Sequence, residues 1–297
     1  MKISQIMYGI ERRSPQALKL CLQYYRMFNR FPNLIAPKTF TEKLYCRLIK
    51  PLPIFSELAD KVRVRDYVQS VIGEEYLVPS YGIFEEITEE DVEKLPNSFV
   101  LKANHGAGFN LIVKDKSVES IPEIVNKANQ WLKIDYSKVY HERHYKKIKP
   151  KLIAEKALLK NGQSPADIKV HVFSGKEGDA PFVFIQVMDE RGDNIKQSFF
   201  LEDWTPAPFK REGSIPITNP ELLKKPELLD ELLDIAKKLA KPFGYSRVDL
   251  YNFDNKIYFG EITFSGAAGN LKMEPDFWDE KLGELFHWPD EVQLVAN

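Results

Sequence analysis

Two short β-rich runs, Ser98 to Lys102 (SFVLK) and Asn110 to Lys114 (NLIVK), are separated only by Ala103-Asn104-His105-Gly106-Ala107-Gly108-Phe109. That spacing commits this part of the chain to a strand, glycine loop, strand unit. Glycines let backbone N–H groups approach and wrap phosphate oxygens, and Lys102 at the strand end sets a full positive charge beside them. By itself the unit is a weak signal. Gly-x-Gly also occurs in ordinary hairpins, the Walker spacing with Gly-Lys-Ser/Thr is missing, and a strand follows instead of a helix.

Ahead of this unit the chain reads as helical. From Ser14 to Phe28 the residues Leu18, Cys21, Leu22 and Tyr25 recur at helical spacing behind a Ser-Pro start. Thr39 to Leu48 follows, with Thr39 and Glu42 as a capping box, and Ser56 to Val71 is expected as one further helix. The polar face of that helix carries Asp60, Lys61, Arg63 and Arg65 and reads as solvated surface.

Beyond Gly73 short β-rich runs dominate. Helices are expected over Ile121 to Ile134 and Pro226 to Lys241, and strands around Leu152 to Leu159, Ile168 to Phe173, Phe182 to Met188 and Ser198 to Leu201. Ser246 to Asn252 and Lys256 to Phe264 form a closing hairpin across Asp254-Asn255. The chain therefore belongs to the α+β class with mostly antiparallel sheets.

Composition sets the outer limits. With 297 residues, two lobes sharing one core are the natural expectation, and 43% hydrophobic residues suffice for a folded globule. The 42 basic and 43 acidic residues nearly cancel, which gives no reason to expect nucleic acid or an anionic membrane as partner. No run of about eighteen apolar residues exists and Met1 to Arg13 lacks the pattern of a leader, so a soluble, cytoplasmic protein is expected. Cys21 and Cys46 sit in apolar stretches and read as filler. His141 and His144 in YHERHYKK lie among lysines without a third ligand and read as a surface segment, and the four tryptophans as core.

Two further groups of residues put charge where folding alone would not. In the closing hairpin Arg247 and Asp249 share one strand face, and Glu261 and Thr263 share a face of the next. A three-residue loop, Asp254 to Lys256, sets Asp249 opposite Glu261, whereas a two-residue loop destroys that pairing. Converging carboxylates repel unless a cation or proton lies between them, and oxygen ligands on paired strands suit Mg²⁺. Upstream, Glu155 ends an apolar run before Lys156, Ala157 and Leu158, a segment able to line a flat slot and offer backbone bonds to an adenine edge. Asp167 precedes a strand on which Lys169 and His171 share a face; alone these read as the solvent face of a sheet.

In this order the pieces resemble the ATP-grasp superfamily, and more narrowly its TupA-like family of polysaccharide biosynthesis. The narrower resemblance rests on FPNLIAPKTFTEKL (Phe31 to Leu44), LADKVRVRDYV (Leu58 to Val68), IGEEYLVPSYGIF (Ile72 to Phe84) and LPNSFVLKANHGAGFNLIV (Leu95 to Val113). It continues through KPKLIAEKAL (Lys149 to Leu158), DIKVHVFSG (Asp167 to Gly175) and RVDLYNFDNKIYFGEITFSGAAG (Arg247 to Gly269).

The resemblance implies an ATP-grasp fold: a helical segment over residues 1–94, a small lobe over 95–158 and a large lobe over 159–297, with ATP clasped between the lobes. It implies Lys102 on the α- and β-phosphates, with His105, Gly106, Ala107 and Gly108 in the loop closing over them. Glu155, Lys156, Ala157 and Leu158 become the adenine hinge, Asp167 lies toward the ribose, and Lys169 and Arg247 serve the phosphates and the acyl intermediate. Asp249, Glu261 and Thr263 become the Mg²⁺ ligands, and Lys61 belongs to the same cleft. The superfamily commonly has Asn where Thr263 stands; Thr offers one oxygen and no amide.

The activity so implied is an ADP-forming carboxylate–amine ligase working through an acyl phosphate, joining an amino acid to a uronic-acid-type sugar of a capsule or wall polysaccharide. Two other readings share the fold: a kinase acting on a hydroxyl, and a polysaccharide-assembly protein without catalysis. A sugar-nucleotide glycosyltransferase would want acids at a Rossmann-like strand end, and none is evident.

Overall fold

The computed structural model describes residues 15–176, 178–189 and 195–288. Met1 to Arg13 and the helix start at Ser14 fall outside them.

Two antiparallel sheets organise the chain. The first has four strands, β1 (Ser80–Phe84), β2 (Phe99–Ala103), β3 (Asn110–Val113) and β4 (Leu152–Lys156), in the order β1-β4-β2-β3. It takes β1 from ahead of residue 95. The second has β5 (Asp167–Phe173), β6 (Phe182–Asp189), β7 (Lys196–Leu201), β9 (Tyr245–Phe253) and β10 (Lys256–Thr263), in the order β10-β9-β5-β6-β7. A ribbon of β8 (Lys210–Arg211) and β11 (Met273–Glu274) stands apart.

Each sheet buries one face against a helix. Phe99, Leu101, Ala103 and Leu152 pack on Ile124, Ala128 and Trp131 of the Ile121–Trp131 helix. In the larger sheet Val170, Ile185, Val248 and Leu250 pack on Leu232, Ala236 and Leu239 of the Leu229–Ala240 helix. Strand alternation turns the intervening residues the other way, so that Val100, Lys102, Asp167 and Tyr251 line the space between the sheets while Phe173 and Phe184 lie against the front helices.

The front helices form no separate unit. Phe55, Leu58, Val64 and Val68 belong to the core of the larger sheet, and Phe40 and Leu44 pack with Phe173, Phe184 and Tyr245. The Phe40–Ile49 helix starts on the expected capping box between Thr39 and Glu42. Arg47 on this helix is fully buried and donates to the carbonyls of Phe243, Tyr245 and Phe264, tying the helix to the two strand ends that lead to the charged hairpin.

Three expectations need correction, and one helix was not expected. The helix expected over Ser56 to Val71 is two, Pro53–Leu58 and Val64–Val71, because the Asp60 carboxylate accepts the Val62 N–H at 2.9 Å and the chain turns there. A helix at Glu89–Lys94, capped by Thr88 and Asp91, was legible as a capping box. The strand from Leu152 ends at Lys156. His144 is buried, so YHERHYKK is a surface segment only in part. The tryptophans do serve as packing residues, and both cysteines are free thiols. Among the described residues no helix is long and apolar enough to cross a membrane.

Candidate nucleotide and metal site

Between the two sheets lies a cleft of about 470 Å³. Its small-sheet wall carries Val100 and Lys102 from β2, Ile112 from β3, and Glu155 from β4; Asp167, Met188 and Tyr251 close it from the other side.

The glycine loop is fastened to its surroundings at several points. Ala103 N–H bonds Phe109 O at 2.9 Å, which closes the loop. Asn104, fully buried, donates to Asp60 at 2.9 Å and accepts the Lys151 N–H at 2.7 Å, so the turn at Asp60 and the entry to β4 are pinned to it. Gly106 lies against Tyr136, where an added Cβ would come within 2.5 Å of the ring; Gly108 has φ +76 in open space. The first glycine therefore serves packing and the second the backbone conformation. The His105 ring turns into the small core, its Nε2 on Trp131 O at 3.2 Å, and burial lowers its pKa.

Lys61 leaves the Asp60 turn and donates to Gly106 O at 2.6 Å, while lying 3.9 Å from Glu261 on the other sheet. Arg65, one helical turn on, meets Glu155 at 3.1 Å. The basic face read as solvated is thus turned inward at these two residues. Their side chains keep 17% and 20% exposure, against 57% for Arg63.

Glu155 departs from a pure hinge role. Its carboxylate bridges Lys102 at 2.7 Å and Arg65 at 3.1 Å. Lys156 N–H is taken by Pro79 O at 2.9 Å, Ala157 is half-buried, and Leu158 packs with Val78 and Tyr258.

Across the cleft the charged hairpin is more tightly organised than its sequence suggests. The turn is the two-residue loop Asp254-Asn255, both with positive φ, and Phe253 pairs with Lys256. Even so Asp249 stands opposite Glu261 and Arg247 opposite Thr263, because the register shifts between Phe259 and Glu261. Gly260 is the extra residue of a β-bulge. The expectation that a two-residue loop abolishes the pairing is overturned by that bulge.

The cation between the two carboxylates is Arg247. Its Nε and Nη2 meet Asp249 at 2.6 and 2.8 Å, and Nη2 also reaches Glu261 at 3.0 Å and Thr263 Oγ1 at 3.2 Å. Lys169 binds Asp249 at 2.6 Å and Asp167 at 2.7 Å. Burial pushes the Asp249 carboxyl up, but Arg247 and then Lys169 outweigh it and hold it below its ordinary value. Lys169 is raised for the reciprocal reason: burial would lower it and Asp249 prevails. Asp167 is raised, chiefly by burial.

Among the described residues no group of three or more His, Cys, Asp or Glu could hold a metal ion. Asp249 and Glu261 with the Thr263 hydroxyl form an oxygen-only donor set of two carboxylates. That chemistry fits Mg²⁺, which usually takes one or two carboxylates and completes its shell with phosphate and water.

Sequence reasoning missed two residues beside this hairpin. Glu142 is buried and accepts a hydrogen bond from Ser265 Oγ at 2.8 Å; burial pushes its carboxyl up to about 7, with Glu261 adding to the rise and Arg247 opposing it. Arg65 was legible only as part of a basic face. Glu142 carried no local signal at all, since its burial depends on a contact 123 residues away in sequence.

A family model described as TupA-like ATPgrasp matches residues 42–287 of the chain. No curated protein matches it. Among solved structures, D-alanine–D-alanine ligase from Bacillus anthracis complexed with ATP is 16% identical with a TM-score of 0.42, over 71% of this chain and 57% of that one. D-Alanine-D-alanine ligase from Helicobacter pylori is 15% identical with a TM-score of 0.41, over 77% and 60%. Phosphoribosylglycinamide synthetase from Anaerococcus prevotii is 13% identical with a TM-score of 0.34, over 70% and 44%. The chain spans less than two thirds of the length of each of these three proteins.

Proposed function

We propose, from the premise that this chain belongs to the TupA-like ATP-grasp family, that it is an ATP- and Mg²⁺-dependent carboxylate–amine ligase. The observation that carries the reading is that Lys102, Glu155 and Asp167 line one cleft between two sheets, and that a chain of ion pairs runs from Asp167 through Lys169, Asp249 and Arg247 to Glu261. A carboxylate attacking a triphosphate must overcome charge repulsion, and fixed cations in a site that excludes water compensate it. In this reading residues 95–158 and 159–297 act as the small and large lobes, and residues 1–94 contribute Lys61 to the cleft.

Lys102 meets the α- and β-phosphates under the loop from His105 to Gly108, and the hinge from Glu155 to Leu158 takes the adenine, with Asp167 toward the ribose. Lys169 and Arg247 face the transferred phosphoryl group. Asp249, Glu261 and Thr263 would hold Mg²⁺, which when bound neutralises phosphate charge. The acceptor carboxylate oxygen forms a bond to the γ-phosphorus as the bond to ADP breaks. The amine nitrogen then bonds the acyl carbon, phosphate leaves with the electron pair, and the amine gives up a proton. An amino acid and a uronic-acid-type sugar of a polysaccharide are the substrates proposed, by family analogy, and the cytoplasm, where ATP is supplied, the location. A screen of uronic acids against amino acids with Mg-ATP, following both ADP and free phosphate, tests it: both products only with both partners present are expected, and ADP without free phosphate from a sugar alone would make the protein a kinase.

One observation favours a second reading, a non-catalytic assembly protein. Arg247 already neutralises both carboxylates without a metal, and Thr263 supplies no amide. Failure to bind Mg-ATP in a calorimeter would favour that reading.

A further inference from the structure

We propose that Arg65, from the helical segment ahead of both sheets, is a positioning residue that keeps the Lys102 charge available to phosphate by neutralising Glu155. The inference rests on the nucleotide reading of the cleft given above.

The geometry is that of a three-member charge chain. Glu155 is buried on β4, directly beside β2, and its two oxygens are divided between two cations: Oε2 lies 2.7 Å from Lys102 Nζ and Oε1 3.1 Å from Arg65 Nη1. Arg65 is held at its other end, where Nη2 donates to Val78 O at 3.1 Å, so the guanidinium is fixed across the carboxylate. The helix carrying it is fixed too, since Val64 and Val68 are buried in the core of the larger sheet. Lys61, Arg65, Lys102, Glu155 and Gly260 line one small void beside the main cleft, which places the charge chain next to the bulge of β10.

Charge counting shows what Arg65 does there. Lys102 with Glu155 alone is a neutral, largely buried pair, and a phosphate arriving at Lys102 must compete with a carboxylate at 2.7 Å. Adding Arg65 gives the chain a net charge of plus one and draws electron density of Glu155 toward Oε1. In a poorly solvated cleft such a difference is felt strongly. Arg suits the task better than Lys because its planar fork reaches two acceptors at once.

The test is calorimetric titration of the full chain with Mg-ADP, in a double-mutant cycle of Arg65→Met and Glu155→Gln. Arg65→Met is expected to weaken Mg-ADP about tenfold, which corresponds to about 1.4 kcal/mol. In the Glu155→Gln background the same substitution should change affinity less than twofold, because the carboxylate that Arg65 neutralises has gone. Arg65→Lys should recover part of the loss and serves in both backgrounds if Arg65→Met does not fold. Wild-type affinity in Arg65→Met, or an equal loss in both backgrounds, overturns the proposal. Lys102→Ala separates the two levels: if it leaves Mg-ADP binding intact, the nucleotide reading itself fails, whereas a loss there with none at Arg65 removes only the role of Arg65.

Discussion

Asp249 and Glu261 face each other across β9 and β10 because Gly260 adds one residue to β10 between the turn and the acid. Without the bulge, the two-residue turn would set Gly260 opposite Asp249, send the Glu261 side chain into the core beside Phe259 and Val248, and turn Ile262 out of it. A Cβ on Gly260 would lie 3.0 Å from Asp249 O and 3.1 Å from the Tyr251 ring, so the glycine lets the bulge sit close against β9.

Gly260→Val should therefore disturb the site more than the fold. The branched side chain forces β10 away from Asp249, and Mg-ADP affinity is expected to fall about tenfold, or about 1.4 kcal/mol, while the far-ultraviolet circular dichroism stays that of the parent. Calorimetry decides it; unchanged affinity would show that the register is held by the flanking pairs alone.

The charged groups of the cleft should differ in what they do for stability. Asp249 is 2% exposed and is the shared partner of Arg247 and Lys169. Asp249→Asn removes the negative charge between two buried cations, and breaking such a cluster costs about 3–5 kcal/mol. Lys102, with 18% side-chain exposure at the cleft wall, can be truncated without stranding a charge of that kind, because Glu155 keeps Arg65. Both variants are expected to lose turnover. Only Asp249→Asn should show a large fall in melting temperature by calorimetry, and equal melting temperatures would refute the distinction.

Glu142 gives a pH dependence of definite sign. Its carboxyl is raised from an ordinary 4.5 to about 7, burial being the main cause, so the folded state holds the proton more tightly than the unfolded chain. The stability this provides is fully present below 4.5 and is lost as pH rises through about 7, an effect of about 3 kcal/mol. Glu142→Gln keeps the neutral form at every pH and can still bond Ser265. It is expected to match the parent near pH 4.5 and to melt about 5–10 °C higher at pH 8. Parallel melting curves for the two proteins across that range would contradict a buried, proton-holding Glu142.

Local pattern made much of this legible. The Lys102 strand, the glycine loop and the Arg247 and Glu261 strands could be placed because alternation and turn residues are written within a few residues of each other. The bulge was missed because a glycine between Phe259 and Glu261 looks the same in sequence whether or not it interrupts a ladder. The inward turn of Lys61 and Arg65 was missed for another reason. It depends on the Asp60 carboxylate breaking the helix and on Asn104 holding that turn, a contact across 44 residues. Glu155 lines the cleft, but its bridge between two cations needed Arg65, which comes 90 residues earlier.

Lys61 offers a last test, since it touches both sides of the cleft. Its ammonium holds Gly106 O at 2.6 Å and lies 3.9 Å from Glu261, so one side chain links the glycine loop to the charged hairpin. Burial lowers its pKa, with Glu261 partly restoring it. Lys61→Met keeps the length of the apolar stem and removes the donor, leaving the Gly106 carbonyl without its charged partner. The loop should then open more often than in the parent. Backbone amides from Gly106 to Phe109 are expected to exchange with deuterium about ten times faster, while those of the Leu229–Ala240 helix, on the far face of the larger sheet, keep their rates. Unaltered exchange in the loop would mean that Asn104 and the Phe109 carbonyl hold it without help from Lys61.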